Sequence, residues 1–494
     1  MINKEPRTPG QLPPLMHLTI EYASRGLESG RFTSVALTKA YLARITEASE
    51  FRAVLQVNPN ALDVAPAIGQ GADPPLHGIP LLVKDNVVTQ EELDASAGSY
   101  ALLGAKPGVE SSVIAKLREA GVLLLGKTNL SERANLRGLN VSSGWSPRGD
   151  QTLGAYYPGS QPDGSSASSA VAAALTLCTA AIGTETVGSI LAPAERNNVV
   201  GFKPSRGLIA NDGAIPVSSR QDVIDTLTRT VKDAAYLVST MAGRSERDEG
   251  TWDIPFQQIP DFTEFCNGTD LSGVTIGVPR NTFDSDPTSP IMWLTIPTFL
   301  QPRGSSSSTI RSGVSCDPPE FRRDIGRYLK TLKINPHNIQ SAEDIIGFTK
   351  TSPEEEYPER DIGKFLWTQA EGIDRFYCGE GGILGAMEKH NLDVLVIPST
   401  LGISNDLAAK MGFPVLGAQL GFHPKGTPIE LDEDKPHLVQ VAPGIPYSLT
   451  FISKAFSEGV LLRVAYAFEQ LSAVRDNGPL PFKLPATELK DVEK

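Results

Sequence analysis

Residues 162–207 read PDGSSASSAVAAALTLCTAAIGTETVGSILAPAERNNVVGFKPSRG, and within them residues 167–182 carry no charge and are filled with Ala, Val and Leu. That run is shorter than the ~20 residues a helix needs to cross a bilayer, so it reads as a buried core helix. Small, flexible turns rich in Gly and Ser stand on either side of it.

Working outward, residues 53–57, 79–83 and 122–125 are short apolar runs with Pro or Gly nearby, and residues 113–120 have a helical pattern. Residues 33–48 place Leu37, Tyr41, Leu42 and Ile45 at helical spacing behind Thr33 and Ser34, both suitable N-caps. On the downstream side, residues 274–278, 393–397 and 415–418 are strand candidates, and a last helix is predicted over 457–471. Alternating strands and helices predict an α/β fold whose sheet is buried on both faces. Residues 301–319 break the pattern with the run Ser305 to Ser308 and several Pro and Gly, and predict a surface loop or an irregular insertion.

The 494 residues, 40% hydrophobic and 21% charged, have the composition of a soluble globular protein. A net charge of -12 disfavours nucleic acid and anionic membrane as partners, since both are bound through Lys and Arg. Residues 1–11 show no apolar leader, which predicts a cytoplasmic protein. Cys178, Cys266, Cys316 and Cys378 lie far apart without a CxxC pair, and the histidines show no HExxH spacing. Free thiols and no metal site are expected.

Common catalytic signatures are missing: there is no GxSxG elbow, no SxxK box with its partners and no dinucleotide glycine fingerprint. The chemistry must then lie in the Gly/Ser stretch. Gly164-Ser165-Ser166, the apolar run, GTETVGS at 183–189 and GFKP at 201–204, together with HGIPLLVKDNV at 77–87, resemble the amidase-signature family in composition and order. Fainter likeness continues in PGIPYSLTF at 443–451 and LLRVAYAFEQ at 461–470.

The resemblance implies a single large α/β/α domain, residues 1–494, around a central twisted mixed β-sheet. Its core motifs span 77–207, a variable substrate-side region spans about 250–380, and the rest of the sheet about 390–475. It implies Ser189 as nucleophile, Ser165 as proton relay and Lys84 as base, with the Gly164–Ser165 bond cis. The backbone N–H groups of Thr186, Val187, Gly188 and Ser189 would form the oxyanion hole. Gly164, Ser166, Ser131 and Glu132 are supporting or substrate-side candidates. The implied reaction is hydrolysis of a carboxylic amide through an acyl-enzyme, without cofactor, by a monomer or homodimer acting on a small-molecule amide. Aliphatic or aryl amides are preferred over peptide-terminal amides, and those over fatty amides. The alternatives are an amidase-like subunit of a glutamine-dependent amidotransferase and a non-catalytic binding protein on the same scaffold.

Physical chemistry supports the trio independently. A serine hydroxyl needs a neighbouring base, and a lysine serves only when neutral, so Lys84 must be desolvated at the end of its apolar run. Against this stand simpler readings. Ser165 or Ser166 could merely cap the helix. His77, beside Gly78 and Pro80, reads as a strand-entry residue. Thr128, Asn129, Ser131 and Glu132 could be plain turn residues, and the acidic run 354–356 a solvated face. A β-branched Val187 would distort the oxyanion turn if its position were left-handed.

Overall fold

The computed structural model describes residues 12–68, 75–279, 318–367, 383–398 and 408–492. Its frame is a sheet of ten strands: β1 (Val54–Val57), β2 (Pro80–Lys84), β3 (Leu123–Thr128), β4 (Ala180–Glu185), β5 (Val200–Lys203), β6 (Val223–Thr228), β7 (Ile276–Gly277), β8 (Val394–Pro398), β9 (Val415–Phe422) and β10 (Pro446–Ser453). They lie in the order β1-β3-β2-β4-β6-β5-β9-β10-β8-β7. Strand β2 is parallel to β3 and β4, and β7 to β8. The other pairs are antiparallel. Every residue of β2, β3, β4 and β6 is buried, which is why these strands lack the alternation of a half-exposed strand. The α/β class with a mixed sheet is thus the fold that forms.

Helix α1 (Ser34–Glu47) is capped by the Thr33 hydroxyl, which accepts from the Ala36 N–H at 3.1 Å. It buries Leu37, Tyr41 and Ile45 against the sheet, and α2 (Ser112–Glu119) precedes β3.

The run 167–182 is not one helix. It splits into α3 (Ala167–Ala174) and strand β4, with Thr176 left-handed at φ 55° between them. Periodicity cannot separate a buried helix from a buried strand when every residue is apolar. What ends α3 comes from elsewhere in the chain: the buried Arg44 donates to the Leu175 and Thr176 carbonyls at 3.2 and 2.9 Å, satisfying groups that a helix end leaves unpaired. From β4 the chain passes through a tight turn into α4 (Leu191–Arg196).

The substrate-side region contributes α5 (Pro318–Leu329), α6 (Ala342–Thr351) and α7 (Gly363–Trp367). Phe321, Ile325, Ile345 and Phe365 from these helices form an apolar cluster with Leu130, Ile215 and Val217. Residues 301–317 lie outside the described residues, while Pro318 and Pro319 open α5. The acidic run 354–356 is not uniformly solvated: Glu354 and Glu356 are exposed, but Glu355 is fully buried on the Arg137 guanidinium at 2.9 Å. A partner so distant in sequence leaves no local signal. Helix α8 (Glu458–Ser472) follows the last sheet strand, close to its predicted bounds.

Cys178 and Cys266 are buried free thiols, and Cys316 and Cys378 lie outside the described residues. No helix among the described residues is long and apolar enough to cross a membrane.

Candidate active site

Lys84 is the last residue of β2, flanked in the sheet by β3 and β4, and is fully buried. Its Nζ lies 2.7 Å from Ser165 Oγ, 2.8 Å from Ser166 Oγ, 2.9 Å from Thr184 Oγ1 and 3.1 Å from the Thr184 carbonyl. Asn86 Nδ2 donates to the same Thr184 hydroxyl at 3.0 Å. Burial pulls the Lys84 pKa down to about 7, against the opposing charges of Glu185 and Asp222. An ammonium without a carboxylate in contact pays the full desolvation penalty, so near neutral pH the amine and the ammonium coexist.

The Gly164–Ser165 peptide bond is cis. Gly164 allows a tight approach there, since a Cβ would stand 2.6 Å from Ser131 Oγ. The Ser131 N–H donates to the Ser165 carbonyl at 3.1 Å, and the Ser166 N–H donates to the Ser189 carbonyl at 3.0 Å. These two bonds tie the Ser165 turn to the loop after β3 on one side and to the Ser189 turn on the other. Ser166 occupies the N-cap position of α3 but makes no side-chain cap. Its hydroxyl instead donates to the Thr184 carbonyl at 2.9 Å and accepts from the Thr184 N–H at 3.2 Å, so it serves the lysine pocket rather than the helix. Ser189 is 5% exposed, and its hydroxyl makes no hydrogen bond among the described residues.

Between β4 and α4 the turn is left-handed at Gly188, with φ 71°, and not at Val187. A valine is therefore compatible with this turn. The N–H groups of Val187, Gly188 and Ser189 make no hydrogen bond among the described residues, which leaves them available as donors. Two carboxylates brace the turn. Glu185 accepts from the Ile190 and Leu191 N–H groups at 2.7 and 3.1 Å. Asp222 accepts from the Thr186 hydroxyl at 2.5 Å and from the Val217 and Ser218 N–H groups at 2.8 and 2.9 Å. Burial pushes the Asp222 pKa up to about 6.

The remaining candidates hold neighbouring loops. Ser131 Oγ accepts from the Gly144 N–H at 2.7 Å, and Thr128 Oγ1 meets Ser169 Oγ at 2.7 Å. Asn129 Nδ2 donates to the Asp150 carbonyl at 3.0 Å and to Thr152 Oγ1 at 3.2 Å. Glu132 is not among the groups around Lys84; it is ion-paired with Arg137, and burial pushes its pKa up to about 8. His77 sits half-buried before β2. Sequence reasoning passed over Thr184, Asn86 and Asp222. Thr184 stood within the quoted GTETVGS and Asn86 within HGIPLLVKDNV, whereas Asp222 had no motif to mark it.

The family model described as Amidase matches residues 36–298. A protein of Arthroderma benhamiae named as an amidase is 36% identical over 94% of this chain and 87% of its own length. The chain belongs to the amidase family. Membership makes it a hydrolase of amide C–N bonds. Among solved structures, the peptide amidase of Stenotrophomonas maltophilia is 30% identical, covers 94% of this amidase-family chain with 98% of its own, and superposes with a TM-score of 0.76. A glutamyl-tRNA(Gln) amidotransferase subunit from Lacticaseibacillus paracasei is 39% identical, over 53% of this chain and 53% of its own.

Proposed function

We propose that this amidase hydrolyses a carboxylic amide through an acyl-enzyme on Ser189, with Ser165 as relay and Lys84 as base. The observation that carries the reading is a fully buried lysine, near neutral in pKa, 2.7 Å from a serine hydroxyl in the turn hydrogen-bonded to Ser189. Neutral Lys84 takes the Ser165 proton as Ser165 takes that of Ser189, and Ser189 Oγ bonds to the amide carbon. The oxyanion that forms is met by the backbone N–H groups of residues 186–189, a contribution worth about 3–4 kcal/mol for one well-placed donor. The proton returns through Ser165 to the leaving nitrogen, the C–N bond breaks, and ammonia or an amine departs. Water then adds to the ester by the same proton route and releases the acid.

The amidotransferase-subunit reading is weaker, because that likeness covers half of each chain whereas likeness to proteins named as amidases runs over nearly all of it. We read residues 1–494 as one domain, since a single sheet draws strands from Val54 to Ser453. We also read it as cytoplasmic, a monomer or homodimer that meets a small-molecule amide. Intact-mass labelling with a fluorophosphonate, followed by peptide mapping, tests the chemistry. One adduct on Ser189, absent in Ser189→Ala and slowed in Lys84→Ala, is expected; an unlabelled, well-folded protein that hydrolyses no amide overturns the reading.

A further inference from the structure

We propose that Arg133 anchors a carboxylate carried by the amide substrate, so that the chain prefers half-amides of dicarboxylic acids over neutral amides. The proposal rests on the amidase reading above and adds the substrate class.

Arg133 lies in the short 3-10 turn Glu132–Asn135, in a left-handed stretch where Arg133, Ala134 and Asn135 have φ of 49°, 54° and 70°. Its side chain is almost entirely buried, yet Nε and both terminal guanidinium nitrogens lack a hydrogen-bond partner. The contact with Glu132, 3.7 Å from Nε, supplies charge but is too long to be a hydrogen bond. Arg137 shows what a structural arginine does in the same place. It donates to the Glu355 carboxylate at 2.9 Å and to the Glu355, Arg360 and Asp361 carbonyls at 2.6, 3.1 and 3.2 Å. Buried guanidinium groups are normally satisfied in that way, and one without any hydrogen bond calls for a ligand.

Three features make the ligand a carboxylate on the substrate. The Tyr328 hydroxyl, also buried without a partner, belongs on α5 to the apolar cluster of Phe321 and Phe365, so a second unsatisfied donor stands in that cluster. The surroundings are apolar: the Arg133 guanidinium stands 5.9 Å from the Phe365 ring, which stacks on Phe321. Their cluster includes Val217, whose N–H is held by the same Asp222 that holds Thr186, while Ser131, two residues before Arg133, holds the Ser165 carbonyl. Finally, the Glu132 and Glu355 carboxylates both pair with Arg137, which leaves Arg133 without a hydrogen-bonded anion, and the two oxygens of one carboxylate fit its guanidinium fork.

The test compares kcat/KM for succinamate, glutaramate and adipamate with that for butanamide, pentanamide and hexanamide, in which a methyl group replaces the carboxylate. Wild type is expected to favour at least one half-amide over its neutral partner about tenfold or more. Arg133→Met should bring that ratio to about one, chiefly through KM, Arg133→Lys should retain part of it, and Tyr328→Phe should lower it severalfold. A wild-type ratio near one throughout, or a preference that survives Arg133→Met, overturns the proposal. Calorimetric titration of Ser189→Ala with glutaramate and pentanamide needs no turnover. Binding of glutaramate alone, lost on adding Arg133→Met or, where that variant does not fold, weakened by Tyr328→Phe, supports the anchor even if wild type hydrolyses nothing and the amidase reading falls. Equal binding of both ligands, or of neither, rejects the anchor while leaving Ser189 chemistry to be judged by its own labelling.

Discussion

Lys84 and Lys127 sit on neighbouring strands one step apart in register, Lys84 opposite Thr128 and Lys127 opposite Val83, so they leave opposite faces of the sheet. Both are fully buried, and burial lowers both, to about 7 and about 8. Their partners differ. Lys127 gives its ammonium to the Val87 carbonyl and faces the Asp85 carboxylate, which in turn accepts from the Ser96 hydroxyl at 2.6 Å and the Gly98 N–H at 2.9 Å. Lys84 meets three hydroxyls and a carbonyl, with no carboxylate in contact. Desolvation makes a lysine easier to deprotonate; only a neighbour that can hand over a proton makes it a base. On the proposed mechanism, one face of the sheet holds a structural cation and the other the base.

The largest expected effect separates the two. Lys84→Met should cut amide turnover and Ser189 labelling by about 10³-fold or more. Lys127→Met should leave the labelling rate within about twofold but lower Tm by several degrees, because it leaves the Val87 carbonyl unpaired at about 1–3 kcal/mol. Loss of labelling in a folded Lys127→Met protein, with labelling intact in Lys84→Met, would invert the assignment. Next in size, Ser165→Ala should cost about 10²–10³-fold in kcat, as removal of a proton relay does, with Tm nearly unchanged. A smaller loss would mean that Ser189 reaches the lysine without it.

The pH profile sharpens the same contrast. A base with its pKa near 7 is inactive when protonated, so kcat/KM should rise tenfold per pH unit below about 7 and level off above it. Stability runs differently. Both native pKa values lie below the unfolded value of about 10.4, so between them the unfolded chain binds more protons and stability increases with pH. Lys127→Met should flatten that increase between about 8 and 10 without moving the activity limb, as urea midpoints and rate profiles would show. An activity limb that moved with Lys127 would tie it to the chemistry.

Much of this was legible in the sequence for definite reasons. Lys84 by itself reads as an exposed lysine; the family's motif order marked it, and the apolar run before it fits a buried strand end. Other features depend on residues far apart in the chain. The break after Ala174 is made by Arg44, and the burial of Glu355 is made by Arg137. Strand β6 was missed because Asp225, Thr226 and Thr228 are polar yet fully buried, which a hydrophobicity pattern reads as a loop. Arg133, next to the candidate Glu132, had no motif to mark it.

The smallest expected effect concerns the brace beneath the oxyanion turn. Thr186→Val removes the hydroxyl that Asp222 accepts at 2.5 Å but leaves the backbone donors in place, so kcat should fall about two- to tenfold, the size of one net hydrogen bond. Asp222 itself titrates near 6, and its ionised form is the one that accepts from Thr186, Val217 and Ser218. Protonation below about 6 removes acceptor capacity from the brace, so the acid limb of kcat/KM, already falling through Lys84, should steepen there. Asp222→Asn should lower the whole profile and abolish the steepening, because an amide cannot titrate. A wild-type limb that keeps a single slope down to pH 5 would show that Asp222 supports the fold without governing the turn, leaving Lys84 as the one titrating group on which catalysis depends.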